Sequence, residues 1–179
     1  MKRILAAALL AGFVATPALA ALKPGDAAPD FTTAATLAGK EFTFALADAL
    51  KHGPVVLYFY PAAFTSGCSI EAHDFAEAID RYKALGATVI GVSHDKLAVL
   101  DKFSTADCQS KFALVADPDL KVANSYDAVM TEQPSYADRI SYVIAPDGRI
   151  LYSYSAPDPD GHVANTLAAL EKWRAQHKA

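Results

Sequence analysis

A chain of 179 residues, 53% hydrophobic and 20% charged, is long enough for one compact domain with a real core and too short to expect two. Its formal net charge of −4 comes without a Lys/Arg cluster, which argues against nucleic acid or an anionic membrane surface as partner. Two cysteines, Cys68 and Cys108, exclude a small framework held together by many disulfides.

The first twenty residues stand apart from the domain. Lys2 and Arg3 give a basic start, Ile4 to Val14 is an apolar run, and Ala18-Leu19-Ala20 is a small-x-small cleavage site. This is the pattern of a secretory signal peptide, since the run is about half of the roughly 20 apolar residues that a membrane span needs. Cleavage after Ala20 would leave residues 21–179 as a single domain with 14 basic and 20 acidic residues, a net charge of −6. Export would put both cysteines where disulfides persist.

Lys23 to Pro29 is turn-rich and is expected to run extended over the surface. Phe31–Ala34 and Glu41–Phe44 can pair as a short hairpin around Leu37-Ala38-Gly39-Lys40, with Phe42 and Phe44 on one face. Ala45–Lys51 is a short helix stopped by Gly53 and Pro54. Val55–Tyr60 is a continuous apolar run rich in β-branched and aromatic residues, which suits a strand covered on both faces. From Thr65 the period changes. Ala72, Phe75, Ile79 and Tyr82 recur at spacings of three and four, which predicts an amphipathic helix capped by Thr65 or Ser66 and stopped at Gly86.

Thr88–Ser93 reads as a second strand, and Asp95 as the cap of a helix that turns Leu97, Leu100 and Phe103 inward. Leu114–Ala116 is a third strand, and Asp117-Pro118-Asp119 opens a short helix to Tyr126. Met130–Asp138 contains Pro134 and has no period, so it reads as a loop. Ile140–Ile144 and Ile150–Tyr154 flank the turn Pro146-Asp147-Gly148. Ser155–Gly161 is a Pro/Asp loop, and Val163, Leu167, Leu170 and Trp173 mark a closing helix. Alternating strands and helices followed by a hairpin predict an α/β sandwich whose early strands are parallel and whose last pair is antiparallel.

Cys68 falls at the start of a helix. The unpaired N–H groups there carry partial positive charge and favour thiolate over thiol. Thr65 can aim a hydroxyl at the same spot, Pro61 ends the strand without contributing a donor, and Gly67 lets the backbone come close to whatever binds. Together these residues describe a pocket for a nucleophile that attacks a small polar substrate.

Pro61-x-x-x-Thr65-x-x-Cys68 resembles the active-site motif of the peroxiredoxins, thiol peroxidases of thioredoxin-like fold. Its setting, Tyr58 to His73, is similar to that of the bacterioferritin-comigratory (PrxQ-type) branch. The likeness runs from about Gly25 to Trp173 and takes in Asp30-Phe31, Val89–Ser93, Asp117–Asp119 and Arg139–Gly148. It implies a central mixed sheet flanked by helices, with an N-terminal hairpin extension. It also implies that Cys68 is the peroxidatic cysteine, that Thr65 hydrogen-bonds peroxide and thiolate, and that Pro61 shields the site. Arg139 would hold Cys68 ionised and polarise the O–O bond, which suits a guanidinium that cannot lose its charge. Glu71 would orient Arg139, yet it also brings negative charge that opposes ionisation of Cys68 unless Arg139 neutralises it.

One position departs from the branch. Many PrxQ-type relatives carry a resolving cysteine five residues after the peroxidatic one, where this chain has His73. Cys108, near the end of the helix after Asp95, is then the resolving candidate, and a disulfide with Cys68 needs local unwinding because the Cα atoms must come within about 7 Å. The resemblance further implies peroxide as substrate, a thioredoxin-like dithiol or other dithiol as reductant, no cofactor, and a monomer more often than a dimer. With the leader, it places the protein in the periplasm of a Gram-negative bacterium or outside the cell.

Other readings stay open on the residues alone. A permanent Cys68–Cys108 bridge would span forty residues and stabilise by roughly 4 kcal/mol. Cys68 could be a packed core thiol, or the domain could bind without catalysis. A thiol–disulfide oxidoreductase of this fold needs Cys-x-x-Cys, and the third residue after Cys68 is Glu71. Metal binding by His73 with Cys68 is disfavoured, because residues five apart lie about 140° around a helix axis. His94 is expected to start a loop, and His162 and His177 to be solvated. Tyr58, Tyr60, Tyr142 and Tyr152 are expected in the core or lining a groove.

Overall fold

The computed structural model describes residues 21–177, so the expected leader lies outside the described residues. The strands are β1 (Thr32–Leu37), β2 (Lys40–Ala45), β3 (Val55–Phe59), β4 (Thr88–Ser93), β5 (Ala113–Ala116), β6 (Ile140–Ile144) and β7 (Ile150–Ser155). The helices are α1 (Leu46–Leu50), α2 (Ser66–Ala84), α3 (Leu97–Ala106), α4 (Lys121–Ser125) and α5 (His162–Gln176). All seven strands form one mixed sheet in the order β2-β1-β5-β4-β3-β6-β7. The crossovers through α2 and α3 make β3, β4 and β5 parallel, and β6 lies antiparallel to β3. This is the thioredoxin-like arrangement with a central mixed sheet.

All five side chains of β3 are buried, and their alternation divides the core. Val55, Leu57 and Phe59 face a cluster covered by α1 and α4, with Leu46, Leu50, Val122 and Tyr126. Val56 and Tyr58, followed by Tyr60, face a cluster under α2, α3 and α5, with Phe75, Tyr82, Phe103 and Leu167. In α2, Ala72, Phe75, Ala76, Ile79 and Tyr82 are buried at helical spacing, and Arg81 and Lys83 complement the negative end of the helix. No helix of the described residues is long and apolar enough to cross a membrane.

Several local expectations are corrected. The N-terminal hairpin is longer than expected and continues the sheet, because Ala35 and Thr36 pair with Val115 and Leu114. Its turn, Ala38-Gly39, has both residues at positive φ, 54° and 71°, which matches the twist of the flanking strands. The turn-rich stretch after Lys23 lies over the surface as expected, and it is also fastened there. Gly25 and Ala28 donate to the carbonyls of Ile150 and Gly148, and Ile150 donates back to Asp26, which fastens the segment to the β6–β7 hairpin. Neither Thr65 nor Asp95 caps a helix with its side chain: the backbone of Thr65 sits at the α2 cap position, and Lys96 takes that place for α3.

Candidate active site

The turn between β3 and α2 is held by groups from the end of β4. Tyr60 N–H still donates to Val92 O at 3.1 Å, and Pro61 then directs the chain away. His94 Nδ1 donates to the Pro61 carbonyl at 2.8 Å, and Ala63 N–H donates to Asp95 Oδ2 at 2.7 Å. Ser93 Oγ also donates to Asp95 Oδ2, at 2.8 Å. Asp95 thus anchors the turn instead of a helix. Phe64 takes a left-handed φ of 63° and rests edge-on against Phe103, with ring centroids 5.1 Å apart. Such a conformation costs a bulky residue of order 1 kcal/mol or more and is tolerated where the surroundings fix it.

Cys68 is the third residue of α2 and is 1% exposed. Its position puts it among the first-turn N–H groups that have no intrahelical acceptor. Arg139, in the link before β6, reaches it: Nη2 donates to Cys68 Sγ at 3.4 Å. Gly67 makes this approach possible, because a methyl group there would stand 3.1 Å from Nη2. Thr65 lies exposed at the rim, where its hydroxyl donates to Ala62 O at 2.9 Å. The structure therefore brings Cys68, Arg139 and Glu71 into contact and leaves Pro61 and Thr65 in the adjoining turn.

Arg139 is held on every side. Nε donates to Pro157 O at 3.0 Å, the backbone N–H to Asp138 Oδ1 at 2.7 Å, and Nη1 to Glu71 Oε2. Glu71 lies three residues beyond Cys68 on α2, so both project toward Arg139. It is fully buried, and burial pushes its carboxyl up to about 8 although the Arg139 guanidinium pulls the other way. Burial also works against the charge on Arg139, but Glu71 and Cys68 outweigh it and hold that pKa above its ordinary value.

His162 completes the cluster and corrects the expectation of a solvated side chain. It is fully buried at the first position of α5. Nε2 donates to Ala156 O at 3.1 Å, and Nδ1 lies 2.8 Å from Ser141 Oγ and 3.5 Å from Glu71 Oε1. Burial pulls its pKa down. The signal for this placement was its spacing, because residues 162, 166 and 170 share one helix face and all three are buried.

Cys108 follows the end of α3, is fully buried, and donates its N–H to Phe103 O at 3.2 Å. Burial pushes its thiol up. Both cysteines are free and share one hydrophobic cluster with Tyr58, Tyr60, Phe75, Phe103 and Phe112. The next residues strap this loop to α2. Gln109 Nε2 donates to Glu77 Oε1 at 3.0 Å and lies 3.0 Å from His73 Nδ1, while Lys111 Nζ donates to Ala76 O at 3.1 Å. His73, which occupies the place of the absent second thiol, thus touches the loop that carries Cys108.

A thiol at a helix start under a buried arginine, on this sheet, defines the thioredoxin-like thiol peroxidases. The AhpC/TSA family model matches residues 24–153, and the chain belongs to that family: it is a peroxiredoxin, a thiol-dependent peroxidase. It is 32% identical over 148 residues to a chloroplastic peroxiredoxin Q of Oryza sativa subsp. japonica, covering 82% of this chain and 66% of the rice protein. The crystal structure of peroxidoxin BcpB from Mycobacterium tuberculosis superposes with a TM-score of 0.77 at 28% identity, covering 84% and 97% of the two chains. Peroxiredoxin Q of Xanthomonas campestris gives 0.68 at 27% identity, covering 78% and 89%.

Proposed function

We propose that Cys68 is the peroxidatic cysteine and that Arg139 is the group that activates it. The observation that carries this is the guanidinium donating to a sulfur in the first turn of α2. The Cys68 thiolate attacks one peroxide oxygen, the O–O bond breaks, and the departing alkoxide or hydroxide takes a proton to leave as alcohol or water. Arg139 and the first-turn N–H groups stabilise the negative charge on the departing oxygen. Pro61 and Thr65 form the rim over which hydrogen peroxide or an organic hydroperoxide enters, and the exposed Thr65 hydroxyl turns from Ala62 O to the peroxide. A Cys68→Ser protein is expected to lose essentially all peroxide consumption; consumption at the parent rate would refute the assignment.

The second half of the cycle falls to Cys108. Its thiol condenses with the Cys68 sulfenic acid, forming an intramolecular disulfide and releasing water, and a thioredoxin-like dithiol then reduces the bridge. Both thiols are buried, so the first turn of α2 and the Gln109 strap must open for this step. Peptide mapping after one equivalent of peroxide should find the Cys68–Cys108 bridge in the parent and a sulfenic acid or its further oxidation products in Cys108→Ser. An intermolecular bridge would instead point to a dimeric cycle rather than the monomer expected here. The leader pattern at Met1–Ala20 supports export to the periplasm. N-terminal sequencing of the exported protein should begin at Ala21, and recovery only in the cytoplasm with Met1 retained would count against export.

A further inference from the structure

Cys108 is fully buried, yet the loop that carries it reaches the surface, and two features of that loop act in opposite directions. The first is its backbone. Gln109 and Ser110 stand in succession at left-handed φ values of 50° and 59°. Neither is a glycine, so at both positions Cβ crowds the neighbouring carbonyl and the conformation is strained. Such residues persist where the surroundings hold them. The second feature is a clasp from α2. Gln109 Nε2 donates to Glu77 Oε1 at 3.0 Å and lies 3.0 Å from His73 Nδ1. A carboxylate only accepts, so the amide turns its NH2 group, not its oxygen, toward Glu77. The second hydrogen of that group is directed at His73 Nδ1, whose lone pair has no other donor among the described residues. His73 and Glu77 are one turn apart on α2, so their two acceptors meet one amide. Lys111 adds a third tie, from Nζ to Ala76 O at 3.1 Å.

We propose that Gln109 is a positioning residue for the Cys108 thiol: through His73 and Glu77 it holds a strained loop shut over the thiol, and the strain opens the loop when the clasp is lost. The two effects are of similar size, since a surface hydrogen bond and a left-handed side-chain-bearing residue each shift an equilibrium only modestly. A small disturbance of the clasp therefore moves the loop. The disturbance has a natural source. Both clasp residues belong to the helix that carries Cys68 in its first turn. Unwinding of α2 that reaches His73 withdraws one acceptor, and unwinding that reaches Glu77 withdraws both. Opening at the first cysteine thus uncovers the second, and the resting protein keeps it covered.

The inference deepens the reading of Cys108 as the second cysteine of the cycle and rests on it only for its catalytic consequence. Its test therefore reads the thiol directly. In Cys68→Ser, Cys108 is the remaining thiol, and its rate of iodoacetamide labelling at fixed pH reports how often the loop opens. Adding Gln109→Glu sets a second carboxylate against Glu77 and should speed labelling about fivefold. Adding Glu77→Gln to that protein returns one amide and one carboxylate to the clasp and should bring the rate back. Ser110→Gly relieves the left-handed strain, leaves the clasp intact, and should slow labelling roughly threefold. Labelling that Gln109→Glu leaves unchanged, that the exchange does not restore, or that Ser110→Gly speeds overturns the proposal. A merely structural loop would be loosened by all of these changes and rescued by none. Labelling should also stay level at low urea, because a local opening exposes little surface; a steep rise from the first addition would mean global unfolding and overturns the proposal too. A Cys108→Ser protein that turned over peroxide with a dithiol as fast as the parent would sink the reading of Cys108 in the cycle and leave the labelling results standing.

Discussion

Gly67 joins the helix start to the arginine, and two effects of opposite sign meet there. Alanine is favoured over glycine inside a helix by roughly 0.5–1 kcal/mol. Its methyl group would nevertheless stand 3.1 Å from Arg139 Nη2, close enough to push the guanidinium off the sulfur by a few tenths of an ångström. Gly67→Ala is therefore expected to unfold at the same temperature as the parent or higher while consuming peroxide several-fold more slowly, which thermal unfolding and a peroxide assay on the same sample will separate. Residue by residue, the site was legible where a short motif carries it. Pro61, Thr65 and Cys68 are near neighbours in the chain, and Arg139 was found through the segment it opens. Asp95 and His162 were missed because their partners, Ala63 and Glu71, are brought to them only by the sheet and by α5 packing on α2. Local pattern favoured a helix cap for the first and solvent for the second.

The strands were read well because β3 is apolar throughout and its neighbours are bounded by turns. The pairing of β1 with β5 was not legible. It joins Ala35 to Val115 across the whole α/β core, and no local period encodes it. Within β4 the sequence displayed a glycine without its reason. The structure supplies one: a methyl group at Gly91 would lie 2.7 Å from Tyr58 Cζ and 2.8 Å from Leu114 Cδ2. The missing side chain is the space in which the Tyr58 phenol lies, stacked on Phe75 with ring centroids 4.4 Å apart. Gly91→Ala overfills this layer, and denaturant unfolding should report a loss of about 1–3 kcal/mol. An unchanged midpoint would mean that the aromatic layer yields more easily than its burial suggests.

For the molecule as a whole, the buried carboxyl sets a pH dependence of stability. Glu71 titrates near 4.5 when free and is pushed up to about 8 in the fold. As pH rises from the lower value, the unfolded chain gives up this proton first, so the unfolded state binds fewer protons and stability declines. The contribution is fully present below 4.5 and is lost as pH rises through about 8. Urea midpoints compared at about pH 5 and about pH 8 should fall more steeply for the parent than for Glu71→Gln, whose side chain does not titrate; equal slopes would deny the shift. The segment fastened to the β6–β7 hairpin has a different consequence. Val55 pairs with Ile144 and Phe59 with Ile140, so the hairpin turn after Ile144 lies at the pole of β3 opposite the end that leads to Cys68. Gly25 to Ala28 are pinned at that far pole. A handle attached at the turn between β6 and β7 is therefore held a full strand length from the thiol, and the enzyme can be tethered from that side with its active face turned outward.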